Sequence, residues 1–165
     1  MRLLKNNVVA FILLILISAI SFKFTDIIYM IISYNTQEWI KILVYCITQL
    51  CIILSYYFCG KLFLKCCNTR ECFMSCLSVF ITLLICYVLA MYIPFFENSD
   101  IIIITSSTYP VHYMTAEITK NISFLTQSVF DGLFVIGIPY FSLVFGAKTK
   151  GTRDKTRDRG TVLLS

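Results

Sequence analysis

Residues able to do chemistry are few in this chain, and the question is which elements would have to bring them together. There is one histidine, His112, and there are eight cysteines, at Cys46, Cys51, Cys59, Cys66, Cys67, Cys72, Cys76 and Cys86. One carboxylate, Asp131, stands inside an otherwise apolar stretch, "SVFDGLFVIGIP". A thiol nucleophile would need His112 beside it as base, a carboxylate dyad would need a second acid beside Asp131, and a zinc site would need four ligands from the CC-x4-C-x3-C run at Cys66, Cys67, Cys72 and Cys76. No G-x-S-x-G elbow, phosphate-binding loop or H-E-x-x-H pair occurs in the sequence.

The elements come from composition. Hydrophobic residues make up 58% of the chain and charged residues only 14%, which sets it outside the range of soluble domains and makes it an integral membrane protein. Charged residues leave four apolar windows: Lys5 to Lys23, Lys41 to Lys61, Glu71 to Glu97, and Lys120 to Lys148, the last interrupted only by Asp131. A helix needs about 20 residues to cross a bilayer core, so the windows predict spans over 8–22, 39–59, 73–95 and 122–145. The first is short. Either it is extended by the apolar run 27–32, or it is a signal peptide with Arg2 and Lys5 as its basic start and Ala19-Ile20-Ser21 as its cleavage site. The windows do not alternate polar and apolar as barrel strands do, so the fold class is all-α: an integral membrane bundle of four transmembrane helices. The transmembrane domain is 1–147, and 148–165 is a basic disordered cytoplasmic tail.

Eleven of the 14 basic residues fall on one side of this arrangement: Arg2 and Lys5, then Lys61, Lys65 and Arg70, then six between Lys148 and Arg159. Lys23, Lys41 and Lys120 are left for the other side. By the positive-inside rule both termini are cytoplasmic, and the connections around 23–38 and 96–121 face outward.

That topology decides the chemistry. Every cysteine is within a span or in the cytoplasmic turn, while His112 is in the outer loop, so a Cys-His pair would have to act across the membrane. The thiols are expected to be reduced, because none reaches the oxidising face where disulfides persist. The Cys66 to Cys76 run lacks paired CxxC knuckles and reads more simply as small packing residues. His112, beside Val111 and Tyr113, reads as a loop residue rather than a pH sensor. The chain is therefore not expected to be an enzyme, to hold a metal or cofactor, or to take a small-molecule substrate.

Asp131 is expected about 13 Å deep from the outer end of the fourth span, and Gln49 about 15 Å deep from the outer end of the second. A carboxylate there must face the bundle, since exposing Asp to lipid costs about 3 kcal/mol. Gln49, with Thr48 beside it, is its natural donor. A buried packing pair is the first reading, recognition of a partner through the same polar patch the second, and a proton relay the last.

The tail "GAKTKGTRDKTRDRG" reads as a topology anchor against anionic lipid rather than a nucleic-acid arm, since aromatic platforms are absent from it. The outer loop carries Ile101 to Thr105, polar turn residues, then Pro110, Val111 and Met114, and is expected to form a short strand and turn or an interfacial re-entry.

Four spans with both termini inside, a cytoplasmic turn with Lys61, Lys65 and "NTR" (Asn68 to Arg70) followed by "SCL" (Ser75 to Leu77), and an outer loop with a threonine-rich stretch, "PV" (Pro110, Val111) and Met114 together resemble the immunity proteins of pore-forming colicins, colicin A type. The motif similarity covers roughly Lys61 to Ile118. The chain departs from that pattern in a longer interval between "SCL" and "PV", in the Ile101 to Ile104 run and in its charged tail.

The resemblance implies a multi-pass protein of the bacterial inner membrane that protects a toxin-producing cell by binding the toxin's channel-forming domain in the bilayer. Specificity would come from helix contacts with the toxin's hydrophobic hairpin and from the outer connections, where Pro110, Val111 and Met114 lie. Two other classes stay open on the residues alone: a non-catalytic subunit or assembly partner of a larger membrane complex, and a small transporter or flippase accessory. The last is weakened because the Gly137 to Pro139 interruption of the fourth span has no counterpart in the second.

Overall fold

A computed structural model describes residues 1–32, 37–66, 68–92 and 132–149. These form five helices: α1 (Arg2–Ile32), α2 (Glu38–Phe63), α3 (Thr69–Ser75), α4 (Leu77–Tyr92) and α5 (Gly132–Thr149). There is no strand among the described residues. Three of the helices, α1, α2 and α5, are long and apolar enough to cross a membrane, and the bent pair α3–α4 makes a fourth if it is counted as one span.

The outward faces of the helices are apolar, unlike those of a soluble bundle. On α1 the buried positions recur three and four residues apart, at Asn6, Ala10, Leu13, Leu14, Ile17, Ser18, Ser21 and Thr25, and several of them are polar. The outward positions of the same helices are large and apolar, among them Leu16, Ile20, Leu50, Phe58, Ile85 and Leu133. Such a surface is stable against lipid tails, where helix association rests on close packing and interhelical hydrogen bonds rather than on exclusion of water.

Contacts between helices give the directions. Asn6 near the start of α1 bonds to Lys65 just beyond the end of α2, and Ser18 meets Tyr56, so α1 and α2 are antiparallel. Asn7 bonds to Ser78 at the start of α4, so α1 and α4 rise from the same end. Tyr140 of α5 lies against Phe80 and Gly132 against Tyr87, which sets α5 antiparallel to α4. The result is an up-down-up-down bundle whose core joins Leu14, Tyr56, Leu83 and Leu143 from all four sides.

α2 and α5 cross with almost no space between them. A Cβ added at Gly60 would run into the Leu143 carbonyl, and one added at Gly146 into the Tyr57 carbonyl. Two glycines, one on each helix, thus bring backbone against backbone at the crossing.

The helices differ from the spans expected from the windows in two ways. α1 is continuous through Lys23 and Asp26, both exposed, so the 8–22 span and the 27–32 run are one helix. The third span is broken at Cys76, where α3 and the first part of α4 meet at 42°. The proposed loop between the second and third spans is correspondingly short, because α2 runs to Phe63 and α3 begins at Thr69. Residues 122–131 of the fourth span lie outside the described residues.

Candidate functional site

Two groups of polar side chains lie between the helices. The first gathers at the Arg2 end. Asn6, which is buried, donates through Nδ2 to the Lys65 carbonyl at 3.0 Å and to Ser75 Oγ at 3.0 Å. Cys66 Sγ donates to the same Ser75 Oγ at 3.7 Å. Arg2 Nε donates to the Lys65 carbonyl at 3.0 Å and lies 3.6 Å from the Glu71 carboxylate. This ion pair is half-exposed on the arginine side and adds little stability of its own, but it ties the start of α1 to α3.

The break between α3 and α4 is the centre of this group. In an unbroken helix the Ser78 N–H would donate to the Met74 carbonyl. Here the side-chain amide of Asn7 stands between them: Asn7 Nδ2 donates to the Met74 carbonyl at 2.8 Å, and the Ser78 N–H donates to Asn7 Oδ1 at 3.0 Å. Ser78 Oγ donates in turn to the Asn7 carbonyl at 2.9 Å. A side chain inserted into the ladder is a recognised cause of a sharp helix kink, and it accounts for the bend without proline or glycine. From the opposite side Tyr140 OH of α5 donates to the Phe73 carbonyl at 3.2 Å. Asn68 caps α3 by accepting the Glu71 N–H at 2.9 Å.

The second group is a seam inside the bundle between α1 and α2, formed by Ser18, Ser21, Thr25, Thr48, Gln49 and Tyr56, all buried. Ser18 Oγ and Tyr56 OH are 3.0 Å apart and bonded. In an antiparallel pair, Thr25 and Gln49 are each about 10 Å beyond that bond, so they share one level. Gln49 is 6% exposed and Thr25 5%, and Gln49 Nε2, Gln49 Oε1 and Thr25 Oγ1 have no hydrogen-bond partner among the described residues. Thr48 turns back on its own helix, donating to the Val44 carbonyl at 2.8 Å.

Of the residues singled out from the sequence, Gln49 and Thr48 are therefore buried in the seam, Gln49 with an unpaired amide and Thr48 satisfied locally. Asp131, Pro110, Val111 and Met114 lie outside the described residues; Gly132, the first described residue of α5, sits so close to the Tyr87 ring that a Cβ would approach it to 2.8 Å. Cys66, Cys72 and Cys76 are buried, Cys67 is outside the described residues, and no group of three or more His, Cys, Asp or Glu among the described residues is placed to hold a metal ion. Sequence reasoning missed Asn6, Asn7 and the polar stripe of α1. The signal was the "NN" pair, two amides standing just before an apolar run. The chain matches no known protein family, no curated protein and no solved structure.

Proposed function

We propose that this protein is a bacteriocin immunity protein of the bacterial inner membrane, which binds the channel-forming domain of a pore-forming colicin of the colicin A type before the channel can open. The observation that carries this reading is where two of the motifs of the resemblance fall. "NTR" begins with Asn68, the residue that caps α3, and "SCL" spans Ser75, Cys76 and Leu77, the end of α3, the break and the start of α4. Two of the motifs of the resemblance thus fall at the start of α3 and at the junction of α3 and α4.

The charge distribution supports an orientation in which the Arg2 end and both termini face the cytoplasm. The partner surface in this reading comprises the outer ends of the spans, the segment with Pro110, Val111 and Met114, and the lipid-facing helix sides. The buried polar side chains Gln49 and Thr48 fix the spacing of the helices that present it. No chemistry is required, since binding within the bilayer needs only close packing and a few hydrogen bonds.

The test is membrane depolarisation after toxin addition, in sensitive cells with and without this protein, across a panel of pore-forming colicins. Block of at least one member of the colicin A group is expected, with sensitivity to nuclease colicins that use the same receptor unchanged. If no pore-forming colicin is blocked while the protein is present in the inner membrane, the subunit or assembly-partner reading takes its place.

A further inference from the structure

We propose that the Asn7 amide is a reversible clip, and that α3 and α4 alternate between the bent, clipped form and a single straight helix.

The hydrogen-bond exchange is nearly balanced. On release, the Met74 carbonyl and the Ser78 N–H, both now held by Asn7, become partners for each other as the helical ladder dictates. Asn7 Nδ2 keeps a second acceptor, the Leu3 carbonyl of its own helix, at 3.1 Å. Ser78 Oγ, released from the Asn7 carbonyl, can bond back to the carbonyl four residues before it, as serine does in membrane helices. At the break itself only Asn7 Oδ1 is left without a protein partner, and it belongs to a half-buried residue at the polar end of the bundle, where water replaces the bond. The Met74 carbonyl and the Ser78 N–H are thus paired in both forms, so the break itself leaves no backbone group of the ladder unpaired in either.

The contacts that oppose release include the half-exposed pair of Arg2 and Glu71, the bonds from Asn6 and Cys66 to Ser75, the bond from Tyr140 to the Phe73 carbonyl, the packing of the Phe73 ring on Tyr140 and Phe141, and the burial of Cys72 and Cys76 in the core. The cap at Asn68 is internal to α3 and travels with it. Straightening by 42° swings the far end of α3, about 10 Å from the break, by about 7 Å. That movement carries Arg70 and Glu71 away from the start of α1. The clip therefore joins the first residues of the chain to the tilt of the third span, and a partner that engages either end shifts the other.

The test uses full-length protein in lipid nanodiscs, with spin labels on genetically encoded keto amino acids so that all eight cysteines remain. One label replaces Arg70 and the other replaces Leu62 or, in a second sample, Lys148; all three positions are exposed. Pulsed dipolar spectra of the native chain are expected to contain two distances, separated by several ångström in at least one of the pairs. Asn7→Leu is expected to leave only the distance that is minor in the native chain. A single distance for both pairs in the native chain overturns the proposal, as does an Asn7→Leu protein that keeps both populations unchanged. If Asn7→Leu does not fold, the native spectra decide alone, together with amide exchange of Ser78: exchange much faster than that of Leu83 supports the clip, and equal protection overturns it.

Discussion

Asn7 and Ser78 are joined by two hydrogen bonds that run in the same direction, Ser78 N–H to Asn7 Oδ1 at 3.0 Å and Ser78 Oγ to the Asn7 carbonyl at 2.9 Å. One asparagine thus receives both the backbone and the side-chain donor of Ser78, the second residue of α4. Its neighbour Asn6 faces the other way, into the buried end of the core at Lys65 and Ser75. Two adjacent and chemically identical residues consequently hold different structures in place.

Their replacement should have unequal costs. Asn6→Ala removes a buried amide and leaves Ser75 Oγ with only a long thiol contact, for a loss of about 2 kcal/mol. Asn7→Ala should cost about 1 kcal/mol or less, because Met74 and Ser78 can satisfy each other. Reversible unfolding of each variant in mixed micelles measures the difference; an Asn7→Ala loss equal to or larger than that of Asn6→Ala contradicts the assignment.

The Gln49 amide, without a hydrogen-bond partner among the described residues, defines the partner to look for. If Asp131 fills that role, Asp131→Asn should be nearly silent, whereas Asp131→Leu should cost about 1–3 kcal/mol by leaving Gln49 buried without a partner. Adding Gln49→Leu should restore part of the loss, since removing both polar groups leaves no orphan. Yield of folded protein in the four strains checks this. Loss of protection in Asp131→Asn at normal protein level would point instead to a role for the charge.

Glycine substitutions should sort by the space around them. Gly146→Ala and Gly60→Ala force the α2 and α5 backbones apart and should each cost about 1–3 kcal/mol. Gly137→Ala meets only the Phe141 ring at ordinary contact distance, 3.7 Å, and should gain about 0.5–1 kcal/mol from helix propensity. Thermal unfolding of the three single variants gives the order, and a stabilising Gly146→Ala would refute the close crossing.

Orientation is open to direct measurement. Reporter fusions after Arg70 and at Ser165 are expected to read cytoplasmic, and a fusion after Ser107 is expected to read external. A cytoplasmic signal at Ser107 removes the four-span topology.

What the amino-acid sequence determined by itself is the set of apolar helices and their approximate length. Bilayer thickness and backbone satisfaction leave a long uncharged window only one conformation, and composition alone selects it. The span expected over 39–59 lies within the helix Trp39–Phe63, and the one expected over 73–95 overlaps Leu77–Tyr92 but misses the break at Cys76. The burial of Thr48 and Gln49 was legible too, because a polar side chain deep in hydrocarbon has to turn inward.

Tertiary structure decided everything that depends on a second helix. The break at Cys76 has no local cause: "FMSCLSVF" contains no proline or glycine, and its apolar pattern is compatible with a straight helix. The cause is an amide about 70 residues earlier in the chain, brought to the ladder by the packing of α1. The same holds for Gly60 and Gly146, whose meaning appears only where two backbones cross, and for the level shared by Thr25 and Gln49, which is set by the register of an antiparallel pair. Hydropathy reports how a residue partitions between water and lipid, and it carries no information about which helix face finds which partner once all of them are in the membrane.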